Sequence, residues 1–162
     1  MIEDANYLHR IEDLRFFSFT EEAVALLKKN GFLVIVITNQ SGIGRGIFGA
    51  AAMHAIHDEV QKKLGGKIDA FYFCPHRPAD NCACRKPKLG MIEKAKENFE
   101  IDFENSWIVG DKTIDVETGF NAGLKTALVL TGYGQKSAAD LDGKPDLIAE
   151  NLLEAVRAIL RV

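Results

Sequence analysis

FLVIVIT, residues 32–38, runs six apolar side chains in succession up to Thr38, and four of the six are β-branched. Branched side chains are stiff at χ1 and suit a pleated strand. An unbroken apolar run, with no polar alternation, suits a strand buried on both faces, as in a parallel sheet covered by helices. Six residues fall far short of the roughly 20 needed to cross a bilayer, and no longer apolar run occurs.

Working outward, each neighbouring segment is helical in pattern. Upstream, Thr20 is placed to cap a helix, Glu21 and Glu22 favour its positive end, and Gly31 closes it. Downstream, Asn39–Gly49 is a glycine-rich loop and Ala50–Leu64 reads as a helix ended by Gly65-Gly66. Strands follow at 68–73, 106–109, 125–130 and 146–149, with helices at 89–99, 114–122 and 152–160. Strands alternating with helices predict an α/β fold, a three-layer parallel sheet with right-handed crossovers. No repeat or linker interrupts the 162 residues, so a single domain, 1–162, is expected. With 47% apolar and 27% charged residues the chain is globular in composition, and a net charge of −3 gives no footprint for nucleic acid. No signal peptide opens it, and a cytoplasmic location is expected.

In such a sheet ligands bind beyond the carboxyl ends of the strands, and the polar clusters fall there. CPHRPADNCACRKP, residues 74–87, contains all three cysteines. Cys74, His76, Cys82 and Cys84 make a complete tetrahedral set for Zn²⁺, with no position left for water, which is the mark of a structural site. The alternatives are small buried hydrophobes, or one disulfide with a spare thiol. Pro75, Pro78, Asp80 and Asn81 mark a loop rather than a buried face, and an odd cysteine count argues against a disulfide framework. The zinc loop, 74–86, would hold Arg85 and Lys86 beside it, one suited to bidentate capture of phosphate and the other to point-charge binding. On an exposed loop the same pair would be solvated charge.

Thr38 brings a hydroxyl and a main-chain N–H to a strand end, where both can donate to a phosphate oxygen; it is equally an ordinary β-branched strand residue. Gly42, Gly44 and Gly46 permit close approach of a ligand, but their spacing does not fit a P-loop. Asp111, after the third strand, can hold Mg²⁺ or cap the next helix, and Asp115 lies four residues on. His9, His54 and His57 have no ligand spacing and read as surface or packing residues.

TNQSG (38–42), CRKP (84–87) and GDKTID (110–115) resemble, in order and placement, motifs II, III and IV of the haloacid dehalogenase (HAD) phosphatases. The CPH…CAC loop resembles their zinc-loop branch, which holds the heptose-bisphosphate and the histidinol-phosphate phosphatases. TNQSGIGRG and NAG…TALVLTGYG are more similar to the heptose side, and the resemblance runs from about Asn6 to Gly134. It implies that Thr38 binds the transferring phosphoryl group and that Lys86 neutralises it and its nucleophile. It implies Asp111 as ligand to a catalytic Mg²⁺, with Asp115 supporting from one layer further out. Asn39, Arg45, Arg85 and Lys112 would contact a small phosphorylated sugar. The implied fold is a HAD-like Rossmannoid, and the implied reaction is removal of phosphate from a sugar bisphosphate through an aspartyl-phosphate.

One departure matters. The family's first motif, D-x-D-G-T at the end of the first strand, supplies the nucleophile and an acid/base aspartate, and this chain does not contain it. Asp142-Gly143 lies in a late polar loop and cannot substitute. The first, central strand is therefore expected to be absent. Either a start some ten or more residues upstream is expected, the order of one strand plus its motif, or a non-catalytic sugar-phosphate-binding protein; the first is favoured. The 162 residues alone are expected to be inactive and open to self-association.

Overall fold

The computed structural model describes residues 1–3 and 7–161. Asp4, Ala5 and Asn6, where the family resemblance begins, lie outside the described residues. Two compact units divide the chain, Met1–Arg85 and Lys86–Val162. Each has its own parallel sheet and its own core. The boundary falls between the two adjacent cations that follow the cysteine loop.

In the first unit, α1 (Thr20–Lys29) leads to β1 (Ile35–Asn39), a short α2 (Ser41–Gly44), α3 (Ala50–Lys63) and β2 (Ala70–Cys74). β1 and β2 pair in parallel from Ile35 opposite Ala70 to Asn39 opposite Cys74. Leu14, Val24, Phe48, Met53, Ile56, Val60, Leu64 and Ile68 form the core, and α3 supplies three of them. Three expectations are corrected here. Thr20 does not cap α1: it is the first helical residue, fully buried, and its hydroxyl donates to the Met1 carbonyl at 2.6 Å. β1 begins at Ile35 rather than Phe32. The Phe32 N–H is taken by the Leu27 carbonyl as the helix closes. The Val34 N–H is taken by the Asp69 carboxylate at 2.6 Å, which also receives Lys28 Nζ at 2.7 Å. β1 is also half-buried along its length rather than fully buried. It belongs to a two-stranded sheet, whereas the largely buried β4 below lies between two strands.

In the second unit, α4 (Gly90–Asn98), β3 (Trp107–Gly110), α5 (Thr113–Ala122), β4 (Lys125–Val129), α6 (Gly134–Asp140), β5 (Leu147–Ala149) and α7 (Leu152–Ile159) follow in turn. The sheet order is β3-β4-β5, all parallel. Val129, Ala149 and Ala155 pack together as its core. Asp146 joins β5 to β4, accepting from the Thr126 N–H at 2.7 Å and the Thr126 hydroxyl at 2.9 Å. These bonds hold its carboxyl below the usual carboxylate range. α6 was not expected. Its sequence, GQKSAAD, has no apolar stripe, so periodicity is silent there. No helix among the described residues is long and apolar enough to cross a membrane.

Candidate active site and metal centre

The parallel register brings the loop after β1 and the loop after β2 to the same end of the first unit's sheet. Two main-chain bonds join them: the Gln40 N–H donates to the Cys74 carbonyl at 2.7 Å, and the Gly44 N–H to the Pro75 carbonyl at 2.9 Å. Glycine is required at 44, because an added Cβ would sit 2.7 Å from the Pro75 oxygen. Thr38 is half-buried and its Oγ1 accepts from Gln40 Nε2 at 3.0 Å. Asn39 lies beside it in the ladder, opposite Cys74, and Arg45 is exposed at the end of α2.

Cys74, His76, Cys82 and Cys84 converge, their ligand atoms all within 4.8 Å of one another. Cys74 Sγ is 3.1 Å from Cys84 Sγ and 3.5 Å from Cys82 Sγ, and His76 Nδ1 is 3.2 Å from Cys84 Sγ. A tetrahedron with Zn–S bonds of about 2.3 Å has edges of about 3.8 Å, so these separations need open only slightly to admit a metal. All three cysteines are free thiols, which excludes the disulfide alternative for this state. Burial, aided by hydrogen bonding to Cys84, pushes the Cys74 thiol up to about 12. Burial opposes ionisation of Cys82 as well, yet hydrogen bonds from neighbouring thiols and main-chain N–H groups bring it down to about 7. The donor set fits a soft divalent metal. Arg85, next in the chain, donates from Nη1 to the His76 carbonyl at 3.2 Å, so the quartet's own loop steadies this cation.

The second unit holds Lys86, Asp111, Lys112 and Asp115. Lys86 Nζ donates to Asp115 Oδ1 at 2.6 Å, with both side chains nearly buried. Asp115 Oδ2 accepts from the Lys112 N–H at 3.2 Å, at the start of α5. Lys112, not Asp111, occupies the cap position, which removes the alternative reading of Asp111. Instead Asp111 Oδ2 accepts from the Tyr133 N–H at 2.9 Å, and its other oxygen accepts no hydrogen bond among the described residues. A half-buried carboxylate with one oxygen available fits a hard cation such as Mg²⁺. Lys112 Nζ lies over the Tyr133 ring, 4.2 Å from its centroid.

Three neighbours escaped the sequence reading in whole or part. Gln40 was visible only as one member of a polar cluster. The pairing of Asp115 with Lys86 joins residues 29 apart, and no local spacing announces it. Tyr133 contributes a main-chain donor, which every non-proline residue has; the one available signal was the glycine before it. Of the histidines, His57 is buried and stacks on Phe71 with centroids 4.4 Å apart, and His54 meets Phe73 edge-on, so both are packing residues as expected.

Residues 83–155 match the HAD-hydrolase-like family. The D-glycero-beta-D-manno-heptose-1,7-bisphosphate 7-phosphatase of Haemophilus ducreyi is 34% identical, over 94% of this chain and 89% of that protein. The protein of the same name from Neisseria meningitidis is 46% identical over 72% of this chain, but this chain spans only 64% of the Neisseria protein's length. Among solved structures, the D,D-heptose 1,7-bisphosphate phosphatase from B. bronchiseptica, complexed with magnesium and phosphate, is similar with a TM-score of 0.89. It is 32% identical, and the match covers 98% of this chain and 90% of that one.

Proposed function

This chain belongs to the HAD-like hydrolases, and from that premise we propose that it is the phosphate-binding body of a Mg²⁺-dependent sugar-bisphosphate phosphatase. The substrate proposed is D-glycero-D-manno-heptose 1,7-bisphosphate, hydrolysed at the 7-phosphate, in the cytoplasm. The observation that carries this reading is the nearly buried Lys86, held 2.6 Å from Asp115 in the loop that follows the cysteine quartet. Asp115 offsets the cost of burying this ammonium and fixes it in one place, and a fixed cation of this kind suits the charge of a transferring phosphoryl group.

The roles follow from chemistry. Lys86 neutralises charge on the phosphoryl oxygens. In the first unit, Thr38 offers a phosphate oxygen its hydroxyl and N–H, with Gln40 orienting the hydroxyl. Asp115 keeps Lys86 extended and steadies the turn into α5. Asp111 holds the cation, and bound Mg²⁺ supplies further charge neutralisation at the phosphate. Asn39, Arg45, Arg85 and Lys112 serve the sugar and its second phosphate. The metal held by Cys74, His76, Cys82 and Cys84 is zinc and is structural: with four protein ligands it keeps no open position for chemistry. The nucleophile of an aspartyl-phosphate mechanism has no counterpart among these 162 residues, since no strand is followed by D-x-D-G-T. The 162-residue chain therefore binds its anion without turning it over.

Calorimetric titration with inorganic phosphate and with the heptose bisphosphate tests this reading. Lys86→Met is expected to weaken binding at least tenfold. Lys29→Met, on the exposed end of α1, is expected to leave it within twofold. Equal losses from the two substitutions would reject the assignment of Lys86.

A further inference from the structure

The turn between β4 and α6 touches two neighbouring site residues at once. The Tyr133 N–H donates to Asp111 Oδ2 at 2.9 Å, and the Tyr133 ring carries Lys112 Nζ over its face, 4.2 Å from the centroid. The preceding residue, Gly132, has φ +60°, and a Cβ placed there would overlap the same Asp111 oxygen. The turn thus meets the carboxylate from two directions, with a donor at 133 and a glycine at 132 that leaves room for it.

A carboxylate held by a charge-assisted hydrogen bond on one oxygen loses rotation about χ2 and presents the other oxygen in one direction. A cation bound by a single protein carboxylate gains most from that restriction, because side-chain ordering is otherwise set against each binding event. An ammonium resting on an aromatic face is likewise confined while keeping its charge.

We infer that the Gly132–Tyr133 turn is a positioning device, which fixes Asp111 for a divalent cation through a main-chain N–H and Lys112 for an anionic substrate group through a ring face. The inference rests on Asp111 being the Mg²⁺ ligand. Both residues act through Asp111 and Lys112.

The experiment uses the 162-residue chain labelled with ¹⁵N and titrated with Mn²⁺, a paramagnetic substitute for Mg²⁺, following the loss of the Gly110, Asp111 and Lys112 amide signals. Gly132→Ala places a methyl against Asp111 in a left-handed backbone. Gly123→Ala is its matched control: φ is +69°, and an added Cβ meets nothing within 4 Å. The two substitutions share the backbone strain, and only one reaches the carboxylate. Wild type and Gly123→Ala are expected to lose these signals at the same Mn²⁺ concentration within twofold, and Gly132→Ala to need at least tenfold more. Tyr133→Leu keeps the N–H and is expected to stay within twofold of wild type for Mn²⁺. The same variant loses the ring and is expected to bind inorganic phosphate at least threefold more weakly. Should Gly132→Ala fail to fold, Gly132→Asn, which tolerates positive φ better, carries the same expectation. A Gly132 variant that responds like wild type with an otherwise unchanged spectrum would overturn the inference and leave the metal site standing. A wild-type chain with no selective loss at 110–112 would remove Asp111 as metal ligand, and the inference with it.

Discussion

Lys86 and Asp115 are each other's stability problem at the scale of single residues. Their side chains are 12% and 10% exposed, so either charge left alone would be stranded out of water. Breaking such a pair from one side costs about 3–5 kcal/mol, more than the pair itself contributes. Lys86→Met and Asp115→Asn should each destabilise by about 3 kcal/mol, and the double substitution by clearly less than the sum, read from urea unfolding of all four proteins. Additive losses would show that the two charges do not depend on one another. His57 gives a pH signature. Burial, and then the nearby His54, lowers it to about 4 from an ordinary 6.5. Above pH 6.5 both folded and unfolded chains hold it neutral, and its contribution is complete. Between 6.5 and 4 the unfolded chain takes up a proton that the folded chain does not, so stability falls with pH, and below 4 the loss levels off. This difference corresponds to roughly 3 kcal/mol, which screening by nearby solvent reduces to about 2 kcal/mol, and His57→Phe, which keeps the stacking on Phe71, should flatten that part of the profile. Unfolding curves from pH 4 to 7 that are parallel for the two proteins would disprove it. At this scale the sequence named Lys86, Asp111 and Asp115, because ionisable residues at strand ends are readable. It could not pair Lys86 with Asp115, since only the fold brings them together.

The cysteine loop is the element on which the most depends. It contains one turn of 3₁₀ helix, Pro78–Asp80, held by Asp80 accepting from the Arg77 N–H at 2.8 Å. Its four candidate ligands converge, and a metal bound there would contribute folding free energy. Cys82→Ser should abolish stoichiometric zinc, measured by metal analysis of protein purified without added zinc. It should also speed amide exchange at 74–86 by at least tenfold while the core of α3 stays protected. A fully protected loop without metal would show that zinc is not structural. This element was legible because its four ligands lie within eleven consecutive residues, so spacing alone declares them. Other boundaries were not legible. β1 starts three residues late because Asp69, distant in sequence, takes the Val34 N–H in place of a strand partner. α6 escaped because its glycine start and small residues show no helical period. The alternation of strands and helices survived these errors, since it depends on the apolar runs and not on their ends.

At the scale of the molecule, two parallel sheets of two and three strands carry the fold among the described residues. Parallel sheets are most stable when continuous and covered on both faces. Small sheets bury little and leave edges that invite pairing with other chains. The 162-residue chain is therefore expected to self-associate and to melt several degrees below a version extended at its N-terminus by a strand ending in D-x-D-G-T. Light scattering on a sizing column and thermal melts of both forms decide this, and a monodisperse monomer with an equal melting temperature would contradict it. The family was legible from three motifs in order, because each lies at a strand end where parallel topology puts ligands. Phosphate release from D-glycero-D-manno-heptose 1,7-bisphosphate by the 162-residue and the extended proteins, with and without Mg²⁺, tests the proposed roles. Mg²⁺-dependent turnover by the extended protein, and none above background by the 162 residues, is the result predicted. Comparable turnover by the 162-residue protein would mean that a residue already present is the nucleophile, and would contradict the roles given to Thr38, Lys86 and Asp111.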